Sequence, residues 1–208
     1  MLKIDASWRA RSRLAALSLL VSSAAPATLL ADGAASLPTY DRVMLMPAPK
    51  PIADFELTDQ DGRNFRFSSL HGEPALLLFG YAHCPDVCPL SLQKLKLLKD
   101  SKHELKDVKV VMVSVDAERD SAAALKEFMG HFSGEFIGLT GDPQRIREIA
   151  TQFSAAFFKA DTNPATGNYP VGHSGQVFAI DKSGNLRAEF YDADLEAMAG
   201  ITRALLAE

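Results

Sequence analysis

The two cysteines of this 208-residue chain, Cys84 and Cys88, are separated by three residues and directly follow the apolar run Ala75–Tyr81. Residues four positions apart share one face of an α-helix, with Cβ atoms roughly 5–6 Å apart, so both sulfurs can reach one point. Two thiols in this arrangement can bind a soft metal ion or form a disulfide. The spacing leaves both chemistries open.

The cysteine pair is expected at the start of a helix. Pro85 and Pro89 suit that position, because proline lacks the N–H group that a first helical turn leaves unpaired. The positive end of the helix dipole favours anions, so we expect a lowered thiol pKa and a thiolate. Metal binding and nucleophilic attack both require that thiolate.

His173, in the loop Gly172-His173-Ser174-Gly175, is a candidate third ligand. Sites in open α/β sheets form beyond the carboxyl ends of the strands. The cysteines follow a predicted strand, whereas His173 precedes one, 176–180. The histidine can therefore reach the cysteines only if strand 176–180 runs antiparallel to strand 75–81. Two thiolates and an imidazole suit copper in either oxidation state, and zinc with the same ligands is the leading competitor.

The segments around these residues alternate between predicted strands and helices. Apolar runs and turn signals predict strands at 55–58, 64–67, 75–81, 108–115, 136–139, 176–180 and 186–191. Helical spacing and capping residues predict helices at 90–101, 121–132, 143–153 and 194–207. This order predicts an α/β fold with an N-terminal β-hairpin and a mixed central sheet flanked by helices.

The first 31 residues have the pattern of an export segment. A basic start is followed by the apolar stretch Leu14–Leu30. This pattern predicts a signal peptide, with Ala25-Pro26-Ala27 as one cleavage site, or an uncleaved membrane anchor. Either outcome places the folded part outside the cytoplasm, in the periplasm of a bacterium. Membrane association is expected only through this segment.

Composition divides the rest of the chain and limits its partners. Residues 32–50, rich in alanine and proline, predict a linker, and residues 51–208 predict one globular domain. A domain of this size, with 47% hydrophobic residues, does not need a disulfide to fold, so the cysteines are interpreted as functional. The formal net charge of −4 argues against nucleic acid and anionic lipid as partners.

Four motifs in colinear order resemble the Sco/SenC family. They are Phe79-Gly80-Tyr81-Ala82-His83-Cys84-Pro85-Asp86-Val87-Cys88-Pro89, Val113-Ser114-Val115-Asp116-Ala117-Glu118-Arg119-Asp120, Gly138-Leu139-Thr140-Gly141, and His173-Ser174 followed by Phe178-Ala179-Ile180-Asp181. The resemblance implies a thioredoxin-like fold and delivery of copper, as Cu(I) or Cu(II), to the Cu(A) centre of cytochrome c oxidase. It also implies that Cys84, Cys88 and His173 are the copper ligands.

The implied partner is the oxidase subunit that carries Cu(A), with other copper chaperones and thiol reductants as further candidates. Two departures from the family pattern lie near the site. Ala82 replaces a usual threonine, and Gly172 replaces an aspartate that commonly precedes the ligand histidine. Neither change removes a ligand. Because Gly172 removes a carboxylate, we expect a changed metal affinity or redox preference.

Thiol–disulfide exchange is the alternative function of the same cysteine pair. Cys84 and Cys88 would then be redox-active and would reduce the cysteines of Cu(A) or of another extracytoplasmic protein. Two residues separate the cysteines of typical oxidoreductases with this fold, whereas three separate them here. That spacing and His173 favour a copper carrier over an enzyme. The two chemistries are linked, since a disulfide must be reduced before the sulfurs can bind copper.

Overall fold

The computed structural model describes residues 37–165 and 168–208. The predicted export segment lies outside the described residues. Within them the strands are β1 Val43–Pro51, β2 Glu56–Asp59, β3 Asn64–Arg66, β4 Ala75–Gly80, β5 Lys109–Ser114, β6 Ile137–Thr140, β7 Phe157–Lys159, β8 Val171–His173, β9 Val177–Ile180 and β10 Asn185–Phe190. The α-helices are α1 Val87–Ser101, α2 Ala122–Gly130, α3 Pro143–Gln152 and α4 Leu195–Ala207.

Eight strands form one sheet in the order β1-β10-β9-β4-β5-β6-β2-β3. Strands β4, β5 and β6 are parallel to one another, whereas β9 and β10 are antiparallel to their neighbours. Every residue of β4 is buried, because the strand lies in the middle of the sheet with apolar clusters on both faces. The predicted α/β fold with a mixed, helix-flanked sheet and a β2–β3 hairpin is confirmed.

The direction of β9 decides whether the candidate ligands can meet. Strand β9 runs antiparallel to β4, with Leu78 opposite Val177 and Leu77 opposite Phe178. The carboxyl end of β4 and the amino end of β9 therefore lie at the same edge of the sheet. This is the arrangement that the sequence required for His173 to reach the cysteines.

Helix α1 begins three residues earlier than the apolar pattern indicated and carries Cys88 in its first turn. Its buried face consists of Cys88, Leu92, Leu95 and Leu98. The helical spacing of these residues packs α1 against the sheet. Asp86 occupies the N-cap position, but its side chain makes no capping hydrogen bond. The Asp86 side chain therefore does not cap α1.

The prediction of a linker at residues 32–50 is wrong for residues 43–50. Residues 43–51 form β1, which pairs antiparallel with β10 at the edge of the main sheet. Val43 and Leu45 pack against the core on one side of the sheet, and the Tyr40 hydroxyl lies against Gly200 of α4. Burial of these side chains and pairing with β10 hold the segment in place. The folded domain therefore begins before residue 51.

The structure also contains a short two-stranded sheet that was not predicted. Strand β7 pairs antiparallel with β8, with Phe157 opposite His173 and Phe158 opposite Gly172. Each strand is only three residues long, too short for a visible alternation in the sequence.

Among the described residues, no helix is both long enough and apolar enough to cross a membrane.

Candidate metal centre

Three soft donor atoms from distant parts of the chain converge at the edge of the sheet. The Sγ atoms of Cys84 and Cys88 and a ring nitrogen of His173 all lie within 4.8 Å of one another. Nε2 of His173 is 3.2 Å from the Cys88 sulfur and 3.7 Å from the Cys84 sulfur. Both cysteines are free thiols. The structure thus brings together all three predicted site residues.

The two cysteines are positioned by the connection between β4 and α1. A turn follows β4, in which the Cys84 N–H donates a hydrogen bond to the Tyr81 carbonyl at 3.1 Å. Cys88 lies four residues further on, inside α1, and is only 1% exposed, whereas Cys84 is half-buried. One sulfur therefore faces the core and the other lies closer to solvent.

His173 is oriented by its own backbone neighbour. Its Nδ1 atom lies 3.1 Å from the carbonyl oxygen of Ser174. A carbonyl oxygen can only accept a hydrogen bond, so Nδ1 carries the proton and donates it. The lone pair of the imidazole is then on Nε2, the atom that faces both sulfurs. This tautomer is the one that can bind a metal ion through Nε2.

Ser174 is itself held by the residue that precedes β7. Its N–H donates to the Ala156 carbonyl at 2.9 Å, and its hydroxyl oxygen accepts the Ala156 N–H at 2.9 Å. These bonds continue the β7–β8 pairing by one residue. The hydrogen bonds of Ser174 therefore hold in place the carbonyl that fixes the His173 tautomer.

Burial raises the pKa of the Cys88 thiol, and this is the dominant influence on it. A hydrogen bond from the Tyr81 backbone N–H acts in the opposite direction, whereas Cys84 and the nearby Asp120 carboxylate raise the pKa further. The lowered pKa expected from the helix dipole is therefore wrong for Cys88, because desolvation of the thiolate outweighs the dipole. At neutral pH Cys88 is a thiol, and a metal ion that binds it must displace a proton.

The difference in burial predicts unequal thiol reactivity. In the reduced protein near neutral pH, we expect iodoacetamide to modify Cys84 at least about tenfold faster than Cys88, because the reagent attacks an accessible thiolate. The Cys88 rate should increase as the pH rises, since its raised pKa leaves it protonated at neutral pH. Mass spectrometry of peptides from a time course measures both rates. Equal rates would contradict the buried position of Cys88.

A buried carboxylate anchors the loop that carries Cys84. Asp120 is fully buried, and its Oδ2 atom accepts hydrogen bonds from the Ala82 N–H at 2.9 Å and the Ser114 hydroxyl at 2.7 Å. Its Oδ1 atom has no hydrogen-bond partner and lies 3.6 Å from Nδ1 of the exposed His83. His83 thus faces Asp120 and lies outside the group of three donors.

Two further residues near the site were not recognised as positioning residues from the sequence. Asp116 is buried and accepts hydrogen bonds from the Tyr169 hydroxyl at 2.8 Å and from Arg119. Tyr81, which directly follows β4, is 2% exposed and contacts His173 edge-on. Tyr81 is the last residue of the predicted buried strand 75–81, at the end that leads to the cysteines, and this position was the signal that could have identified it.

Gly172, one of the departures from the family pattern, has a packing role in this structure. A Cβ atom at this position would lie 2.5 Å from two carbons of the Phe158 ring. Phe158 is the cross-strand partner of Gly172, and the residue is 67% exposed. The glycine therefore makes room for an aromatic ring beside His173.

A family model described as SCO1/SenC matches residues 46–206, which include all three donors. The chain belongs to this family. An SCO2-like protein of Rickettsia conorii is 37% identical over 140 residues, which cover 66% of this chain and 68% of that protein. The assignment to SCO1/SenC confirms the resemblance found in the sequence.

Two solved SCO1/SenC-type structures with copper bound resemble this one. Bradyrhizobium japonicum ScoI is 34% identical, with a TM-score of 0.66, over 74% of this chain and 99% of that chain. Arabidopsis thaliana ScoI is 29% identical, with a TM-score of 0.68, over 75% of this chain and 98% of that chain. These matches confirm the thioredoxin-like fold.

Proposed function

We propose that this chain binds copper through Cys84, Cys88 and His173 and delivers it to the Cu(A) site of cytochrome c oxidase. The observation that carries the proposal is the convergence of two sulfurs and one imidazole nitrogen within 4.8 Å. Thiolates select Cu(I), and imidazole also suits Cu(II), so this donor set fits copper in both oxidation states. Copper-bound relatives favour copper over zinc, which could use the same ligands.

The residues of the chain contribute in different ways to uptake and release. Cys88 gives up its thiol proton when copper binds, and its buried sulfur is the ligand most shielded from water. Cys84 and His173 are half-exposed, so an incoming ligand of a recipient can reach them first. The hydrogen bond from Nδ1 of His173 to the Ser174 carbonyl keeps the imidazole in the ligating tautomer throughout.

The proposed carrier acts outside the cytoplasm, in the bacterial periplasm. The basic and then apolar pattern of residues 1–31 supports this location, either as a cleaved signal peptide or as an inner-membrane anchor. The oxidase subunit that carries Cu(A) is the proposed recipient. Mass spectrometry of the protein isolated from membranes and from periplasm would distinguish cleavage from anchoring by the first residue present.

Thiol–disulfide exchange is the second candidate function. It is favoured by the two free sulfurs, which lie close together with one of them half-exposed. Cys84 would attack the disulfide of a target, and Cys88 would resolve the mixed disulfide by forming the Cys84–Cys88 bond. Burial and the raised pKa of Cys88 disfavour a rapid resolving step.

Copper transfer and cysteine reduction can be measured in parallel to separate the two functions. The reduced, Cu(I)-loaded protein is mixed with an apo Cu(A) domain whose cysteines are reduced, and the copper bound to each protein is determined after separation. In a second reaction, the reduced, copper-free protein is mixed with the same domain in its oxidised form, the two proteins are separated, and the free thiols on the domain are counted. We expect stoichiometric copper transfer. Reduction without transfer would replace the carrier function with the oxidoreductase function.

A further inference from the structure

Tyr81 is bonded through its backbone to both cysteines of the site. Its carbonyl accepts the Cys84 N–H at 3.1 Å, and its backbone N–H lowers the pKa of the Cys88 thiol against the larger effect of burial. Both contacts use main-chain atoms, so they do not depend on which side chain is present at position 81. The backbone of Tyr81 thus fixes the two sulfurs relative to the end of β4.

The side chain of Tyr81 extends from the cysteines to the strand that carries His173. Its ring contacts the imidazole edge-on, with centroids 5.6 Å apart and an interplanar angle of 88°. Its hydroxyl oxygen accepts the Val171 N–H at 3.2 Å. Val171 is buried and lies two residues before His173 in β8. Tyr81 therefore contacts all three candidate ligands, directly or through the strand beside them.

Removing the hydroxyl of Tyr81 affects the strand that carries His173 and leaves the contacts with the two cysteines in place. Without it, the ring still fills the same space, and the main-chain bonds to Cys84 and Cys88 remain. The buried Val171 N–H, however, loses its acceptor, which destabilises the observed position of β8. Strand β8 belongs to the small β7–β8 sheet, so few other bonds resist its displacement.

We propose that Tyr81 is a positioning residue for Cu(II) binding. Its hydroxyl holds β8 in place, and β8 in turn orients His173 so that Nε2 can bind Cu(II). The inference rests on the proposed copper site. Cu(I) is bound mainly by the two thiolates, whereas Cu(II) depends more strongly on the imidazole. A loosened His173 therefore weakens Cu(II) binding while Cu(I) binding is largely retained.

The variant Tyr81→Phe tests this inference in the full-length chain. Loss of one hydrogen bond to a buried group corresponds to roughly a three- to tenfold change in an equilibrium constant. We expect the Kd for Cu(II) to rise by about that factor, and the Kd for Cu(I) to change less than about twofold. The reduction potential of the bound copper should rise accordingly, by about 59 mV for a tenfold change in the ratio of the two constants.

Both constants are measured anaerobically by competition with chelators specific for each oxidation state. Tyr191→Phe is the matched control, because it removes a hydroxyl that bonds to Glu189 on β10 and makes no contact with the three donors. We expect Tyr191→Phe to change neither constant. His173→Ala sets the largest effect that loss of the imidazole can produce.

The outcomes separate this inference from the proposed copper site. If His173→Ala weakens Cu(II) binding and Tyr81→Phe weakens it selectively, the inference is supported. If Tyr81→Phe leaves both constants unchanged, or raises both equally, Tyr81 has no selective role through His173, while the copper site stands. If His173→Ala leaves Cu(II) binding intact, the three-ligand site and the inference are both overturned.

Discussion

Replacing Cys88 with serine is expected to lower the affinity for Cu(I) by more than about a hundredfold, which exceeds the usual effect of losing a group that only supports a ligand. Serine has nearly the same shape, but its hydroxyl is a hard donor that Cu(I) does not favour. The Cys88 sulfur is also the one nearer to Nε2 of His173, at 3.2 Å. Anaerobic competition with a Cu(I) chelator measures the affinity.

The two histidines near the cysteines provide a matched pair of variants for Cu(II) binding, which depends most strongly on the imidazole. His173→Ala removes a converging donor, and Cys84→Ser removes another, so each should abolish stoichiometric retention of Cu(II). His83→Ala removes an exposed imidazole that is next to Cys84 in the sequence but faces Asp120 and not the three donors. The His83→Ala variant should therefore retain copper. Full retention by His173→Ala would contradict a site built from three ligands.

Replacing Gly80 with alanine is expected to disturb the site by a steric clash with the Cys88 sulfur. A Cβ atom at position 80 would lie 2.9 Å from the Cys88 sulfur and 3.2 Å from the Met112 sulfur. Cys88 and Met112 are both buried, so neither sulfur can move into open space. We expect the displaced Cys88 sulfur to lower Cu(I) affinity by about tenfold or more. Overpacking should also lower the free energy of unfolding by about 1–3 kcal/mol, measured by urea denaturation.

Gly138→Ala is the matched control for Gly80→Ala. Gly138 lies in β6, where a Cβ atom would be 2.9 Å from a Met129 side-chain carbon and 3.3 Å from Leu125 Cβ. The steric conflict is similar, but neither contact involves a site residue. Gly138→Ala should therefore lower stability to a similar degree and leave copper affinity unchanged. An equal loss of affinity in both variants would indicate that Gly80 affects folding and has no specific effect on the site.

The elements next to the cysteines could be predicted because their burial is visible in the sequence. Strand β4 is covered on both faces, so all six of its residues are buried and it appears as a continuous apolar run. Helix α1 is covered on one face, so its leucines recur at helical spacing. The junction between these two elements, with both cysteines, follows directly from the two patterns.

The elements that the sequence did not reveal are short or lie at an edge. Strand β1 pairs on one side only and contains Pro47, Pro49 and Pro51, so its composition is that of a linker. Proline is tolerated there because an edge strand leaves some N–H positions without a ladder partner. Strands β7 and β8 are held by a few hydrogen bonds and by packing around Phe158, which involves residues far apart in the chain.

The electrostatics of the site could not be predicted from local spacing. A helix start favours a thiolate, and that expectation ignores how deeply the sulfur is buried. Asp120 likewise resembles a surface or capping residue in the sequence, whereas Ser114 and the Ala82 backbone enclose it in the structure. Burial is decided by tertiary packing, so the pKa of Cys88 and the role of Asp120 became visible only with the fold.

The location of His173 on β8 has a consequence for the local stability of the β7–β8 pair. Two strands of three residues each are marginally stable by themselves in water. A metal ion bound by α1 and β8 together would cross-link positions far apart in the chain and stabilise the folded form by mass action. Metal loading and local order in β7–β8 would therefore be thermodynamically linked. A bound ion would protect the amides of β8 from hydrogen exchange, and a change that loosens β8 would lower the occupancy of the site.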